Sequence, residues 1–168
     1  LAVELLKKLI KEQIVVFKHT NVVKSEKFSE LIQQLMNRYV NSMLTNEQVI
    51  EELLDLARQM TESRKKGEEM GLTADELAFY DALTKPQAIK DFYENEELIA
   101  ITKELSDTLR RNRTIDWQKR DSARAKMRML IKKLLKKHKY PPKDMDDAVQ
   151  TVMTQCEIWA DNQEMENL

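Results

Sequence analysis

The chain has 168 residues, 34% of them charged and 42% hydrophobic, with a single cysteine and a formal net charge of −1. One cysteine excludes an intrachain disulfide and fits a reducing cytoplasm, and no apolar run approaches the ~20 residues of a membrane span. No basic-then-apolar leader is visible, so a membrane is not expected among the partners. The length fits one domain, or one domain with an attached helical arm. A chain this long buries roughly 70% of its unfolded surface without a disulfide or metal staple. Two glycines and three prolines leave little punctuation for hairpins, and the plentiful Leu, Lys, Glu, Met and Gln favour helix.

A first helix is expected from about Ala2 to Lys18, with Leu5, Leu6, Leu9, Ile10, Ile14 and Phe17 as its apolar positions. Val22 and Val23 interrupt the pattern. Ser25 is placed to cap a second helix, in which Phe28, Leu31, Ile32, Leu35, Met36, Tyr39 and Val40 recur at three and four. Thr45 with Gln48 reads as a capping box for a third helix carrying Val49, Leu53, Leu56, Ala57 and Met60. The charged run Glu62 to Glu69 ends this helix, and Gly71 is placed to close it. Thr73 with Glu76 makes a second capping box for a short segment, Ala74–Leu83, and Pro86 punctuates the chain beyond it. A further helix, about Glu96 to Leu109, aligns Leu98, Ile101, Leu105 and Leu109. Asp116 is then placed to cap a long basic helix, Trp117 to about Lys137, which Tyr140-Pro141-Pro142 stops. A last helix from about Asp144 stacks Met145, Val149, Val152, Cys156 and Trp159.

The fold expected is therefore all-α, an irregular bundle of about six or seven helices. Residues 1–23 read as a linking helix at the start of a piece of a longer polypeptide, residues 24–164 as the helical domain, and residues 165–168 as a frayed tail. No repeat of fixed period and no low-complexity segment appears.

Catalytic chemistry finds few residues to carry it. A phosphate-cradling loop needs clustered glycines; Gly67 and Gly71 are the two present, and neither follows a strand. His19 and His138 have no serine or cysteine beside them in a recognisable arrangement. Clustered metal ligands are not evident. Glu96 and Glu97 read as solvated charges, and Cys156, on an apolar stripe, reads as packing rather than a reactive thiol. No catalytic residue, metal ligand or cofactor is assigned to this chain.

Charge distribution says more. Between Lys103 and Lys143 there are 15 Lys or Arg against 4 Asp or Glu, while the remainder holds 13 basic and 25 acidic residues. At 100° per residue, Ala123, Met127, Leu130, Ile131 and Leu134 share one side of the basic helix and should face the core. Lys119, Lys126, Lys133 and Lys137 lie on one flank, with Lys132 and Lys136 on the back, and Arg110, Arg111 and Arg113 precede the helix. These nine cations are the candidate DNA contacts. A lysine strip about 27 Å long meets several phosphates and releases counterions; a solvated face is the alternative. Arg120 and Arg124 project to the edge of the core face, where a guanidinium needs a carboxylate. Asp81, Asp107 and Asp116 are the candidates, and the expected structural pair joins Arg124 to Asp81 or Asp116.

Several blocks then resemble a known family. Lys66-Gly67-Glu68-Glu69-Met70-Gly71-Leu72, Glu76-Leu77-Ala78-Phe79-Tyr80-Asp81-Ala82-Leu83, Arg111-Asn112-Arg113-Thr114-Ile115-Asp116-Trp117, and Arg120 through Tyr140-Pro141-Pro142 with Ala123-Arg124-Ala125-Lys126-Met127-Arg128, look like the C-terminal helical region of type I restriction endonuclease R (HsdR) motor subunits. The resemblance runs from about Leu53 to Cys156. It implies a prokaryotic parent that translocates DNA by ATP hydrolysis and cleaves it, with nuclease and helicase domains, ATP and magnesium all upstream of this chain. It also implies docking to the methyltransferase core of modification and specificity subunits, with double-stranded DNA as a further partner. Phe79, Tyr80 and Trp117 fall in the resembling blocks, as interface anchors or, the preferred reading, as core.

Two other readings stand beside the DNA-contact module. One is a structural adaptor that binds protein and never DNA. The other is a small-molecule enzyme, which would need a polar pocket between helices.

Overall fold

A computed structural model of the chain describes residues 1–166, with side chains through residue 162. Eight α-helices and one 3-10 turn make up its regular structure, and no strand occurs among the described residues. The all-α expectation holds. The helix beyond the expected six or seven is a six-residue piece after Pro86, too short to display a periodic pattern. The tail expected over 165–168 falls outside the residues described in full.

The chain divides into two compact units, Leu1–Gly71 and Leu72–Leu168. The division therefore falls after Gly71, whereas the sequence suggested one after Val23. Its physical reason lies in the first helix, α1 (Ala2–Lys18), which buries Val3, Ile10, Ile14 and Phe17. These pack with Phe28, Ile32 and Leu35 of α2 (Val22–Val40) and Val49, Leu53, Leu56 and Met60 of α3 (Asn46–Glu69) into one core. Phe17 and Phe28 stack with ring centroids 5.6 Å apart, and the Arg64 guanidinium lies 4.8 Å from the Phe17 centroid. A stacked pair of this kind adds about 0.5–1.5 kcal/mol to the area it buries.

Helix boundaries follow local chemistry. Asn21, not Ser25, caps α2, its side chain accepting from the Lys24 amide; Val22 and Val23 begin the helix, and Ser25 is buried within it. Both capping boxes form as expected: Thr45 with Gln48 opens α3, and Thr73 with Glu76 opens α4 (Ala74–Leu83). Gly71 takes φ +72° just past α3, the left-handed closure that glycine adopts without steric cost. Ser42 closes α2 in the same conformation at φ +59°.

In the second unit α4 sits at the centre. Six of its ten residues are buried: Leu77, Ala78, Phe79, Tyr80, Ala82 and Leu83. A helix apolar on every side has to be surrounded, and α6 (Asn95–Asn112) and α8 (Pro142–Glu166) pack against it. Helix α7 (Asp121–Lys137) packs in turn on α6 and α8, and α5 (Gln87–Phe92) contributes the buried Ile89. Tyrosines tie the helix ends together. Tyr140 donates 2.7 Å to the Leu83 carbonyl, Tyr93 2.7 Å to the His138 carbonyl, and Tyr80 2.9 Å to Asn95 Oδ1.

Candidate nucleic-acid interface

The basic segment is built differently from the single rod expected. Asp116 adopts φ +56° and makes no capping hydrogen bond with its side chain. Trp117–Lys119 form one 3-10 turn, Arg120 is extended, and α7 starts only at Asp121. The Trp117 side chain is 3% exposed, and burying it in the unit turns the chain here and separates Lys119 from the helix behind it. The cationic part of α7 thus runs from Lys126 to Lys137, about 17 Å at 1.5 Å per residue.

Met127, Ile131, Leu134 and Leu135 are the buried side of α7, and Ala123 and Leu130 are half-buried. The opposite side exposes Lys126, Lys132, Lys133 and Lys136. Among the described residues these four make no ion pair. Met129, 62% exposed, lies among them. Unpaired ammoniums in water keep their full attraction for a polyanion, whereas a lysine held by its own carboxylate has part of its charge cancelled.

The other candidate contacts are engaged within the unit. Lys137 Nζ lies 2.7 Å from Glu104 Oε1, and His138 Nε2 lies 2.7 Å from Glu104 Oε2. Glu104 is held below the ordinary glutamate range, first by Lys137 and then by His138. Lys119 is 3.8 Å from Asp116. Arg110 and Arg113 lie 5.1 and 4.9 Å from the Trp159 ring centroid, and Phe79 meets the same ring edge-on at 5.8 Å. Arg111 is exposed and donates Nε 3.3 Å to the Asp107 carbonyl.

Arg124 requires a correction. Its partner is Glu157 on α8, Nη1 to Oε1 at 2.8 Å, with a further 3.3 Å bond to the Gln118 carbonyl. Neither Asp81 nor Asp116 takes that place. Helical projection puts Arg124 at the edge of the core face, but which α8 carboxylate stands opposite depends on the register of two packed helices. Arg120 does not sit in the core either: it is exposed and bonds Thr114 Oγ1.

Phe79, Tyr80 and Trp117 are 1%, 4% and 3% exposed, so they are core. Cys156 is buried, and burial pushes its thiol up to about 12, far from the thiolate a nucleophile requires. Among the described residues no three His, Cys, Asp or Glu gather as a metal site. No helix of the described residues is long and apolar enough to cross a membrane.

Fold and site together define a helical module with one cationic helix face. The chain belongs to the family described as type I restriction enzyme HindI endonuclease subunit-like, C-terminal, whose model matches residues 1–162. It is 35% identical over 160 residues to the type I restriction enzyme HindI endonuclease subunit of Haemophilus influenzae, covering 95% of this chain and 15% of that protein. It is 30% identical over 135 residues to a putative type I restriction enzyme MjaIXP endonuclease subunit of Methanocaldococcus jannaschii, covering 80% of this chain and 13% of that protein. The chain therefore spans about a seventh of the length of these relatives. No solved structure matches it.

Proposed function

We propose that this chain is an assembly and DNA-contact module of a prokaryotic cytoplasmic type I restriction endonuclease subunit, docking the ATP-driven motor to the methyltransferase core of modification and specificity subunits. The parent subunit is then an endonuclease with ATP-dependent translocation, and this region catalyses nothing itself. ATP and magnesium belong to the upstream part. In support of that assignment, Gly67 lies inside α3 and Gly71 closes it, so neither sits in a phosphate-cradling loop.

The observation supporting DNA contact is the set of four exposed lysines on α7 without internal partners. If four phosphates are neutralised, log affinity falls with log salt at a slope of about −3.6. Anisotropy with a fluorescent duplex across a potassium chloride series tests this. The Lys126→Gln/Lys132→Gln/Lys133→Gln/Lys136→Gln variant should weaken duplex binding and flatten the slope while keeping its helical content. The second reading, a protein adaptor without DNA contact, draws on Met129, an exposed apolar side chain in the middle of the same face. Co-purification with the methyltransferase core and no salt-dependent duplex binding would favour that reading.

A further inference from the structure

Helix α7 closes on an unusual residue. Past its C-cap at His138, Lys139 adopts φ +61°. The Lys139 amide bonds the Lys136 carbonyl at 3.0 Å and the Tyr140 amide bonds the Leu135 carbonyl at 2.9 Å, the paired closure in which glycine is the ordinary occupant. A β-carbon is disfavoured in this conformation, so a lysine here works against the backbone. Ser42 and Asp116 take the same backbone region, so what sets Lys139 apart is where its side chain lies.

That side chain extends a line of cations. Arg128, Lys132 and Lys136 recur every fourth residue, about 6 Å apart along the axis, and Lys139 continues the series past the helix end. Two open hollows meet at Lys132. One, of about 420 Å³, is lined by Arg124, Arg128, Met129 and Lys132, with Asp121 at its far end. The other, of about 510 Å³, is lined by Lys132, Lys136, Lys139, Pro142, Met145 and Asp146. Among the described residues none of Arg128, Lys132, Lys136 and Lys139 is ion-paired; Arg128 bonds the neutral Gln150 amide oxygen at 3.2 Å and keeps its charge uncancelled. Asp121 stands in the first turn of α7, before the track begins, and Asp146 is the carboxylate beside it in the second hollow.

We infer that one phosphodiester strand of DNA seats along this track, held by Arg128, Lys132, Lys136 and Lys139, with the α8 side of α7 rather than its opposite flank facing the strand. The inference rests on the DNA-contact reading and narrows it. Successive phosphates on a strand are separated by a step close to the spacing of these cations. Arg128 and Lys139 become phosphate contacts, while Lys126 and Lys133, on the far flank, become secondary.

The test uses the 168-residue chain and a fluorescent DNA duplex over a potassium chloride series, with thermal melts in parallel. Lys139→Gly should weaken duplex binding several-fold and reduce the salt slope by about one, with a melting temperature unchanged or raised because the strained β-carbon is gone. Arg128→Gln/Lys132→Gln should weaken binding more than Lys126→Gln/Lys133→Gln does. If Lys139→Gly binds as the parent does and Lys126→Gln/Lys133→Gln carries the loss, the track is overturned and DNA contact stands. If the unaltered chain binds no duplex at any salt, the DNA-contact reading falls and the track with it. Competition by polyglutamate as strong as by duplex of equal charge would also overturn a strand-specific track.

Discussion

Tyr140 is where a single oxygen atom holds two helix ends, and Tyr140→Phe removes only that atom. The ring is 3% exposed, and its hydroxyl donates 2.7 Å to the carbonyl of Leu83, the last residue of α4. Carbonyls in the last turn of a helix lack an intrahelical partner, so the substitution strands a buried acceptor. Leaving such a group unsatisfied costs about 1–3 kcal/mol. For a unit of roughly 100 residues each kcal/mol moves the midpoint by about 4–8 °C, so Tm should fall by on the order of 10 °C. Thermal melts by far-UV circular dichroism near neutral pH measure it. A second readout comes from alkali. Burial foremost, then Asp144, Tyr93 and Asp147, pushes the Tyr140 phenol well above its ordinary 10.0. A folded value above the unfolded one gives stability that is complete below about pH 10 and is lost as pH climbs towards the folded value. Tyr140→Phe should therefore lose less stability than the parent above pH 10. A neutral-pH shift under about 2 °C, with an unchanged alkaline limb, would refute the reasoning.

Other substitutions probe separate features. Glu104→Gln should flatten the acid limb of the stability profile. The Glu104 value is lowered from 4.5, so its contribution is present above that pH and is lost as pH falls through the lowered value; Tm measured from pH 5 downward checks this. Gly71→Ala should cost about 1–2 kcal/mol by urea midpoint, from backbone strain alone, because a β-carbon there meets nothing within 4 Å at φ +72°. Leu105→Ala, at a position with 0% exposure, should cost about 2–5 kcal/mol in the same assay. Arg124→Ala should cost about 0.2–1 kcal/mol, since its Glu157 pair is a third exposed on each side, and should leave most duplex affinity intact. Unchanged Tm with abolished DNA binding would reverse the structural role given to Arg124.

What the sequence disclosed was local. Thr45 with Gln48 and Thr73 with Glu76 place donor and acceptor three residues apart, and both boxes formed. Apolar spacing identified Leu98, Ile101, Leu105 and Leu109 as the buried side of α6. Val22 and Val23 misled because weak helix propensity is a small effect beside a cap, and Asn21 supplied one. The site was harder for a different reason. Arg110 and Arg113 stand in a run of basic residues, and nothing within that run shows Trp159, more than forty residues away, beneath both. Glu157 was invisible as the partner of Arg124 on the same ground. Lys139 offered one local clue: it precedes Tyr140-Pro141-Pro142 directly after a helical pattern, the position where a left-handed residue closes a helix.

Bracketing of Trp159 by two guanidiniums has an optical consequence. The chain has two indoles: Trp117, shielded in the turn ahead of α7, and Trp159, half-buried on α8 beneath Arg110 and Arg113. Indole emission depends on nearby charge and on water, so the two rings report distinct neighbourhoods without any label. Trp117→Phe leaves Trp159 as the one indole, and displacement of its guanidiniums by an anion becomes visible as a change in the colour or yield of indole emission.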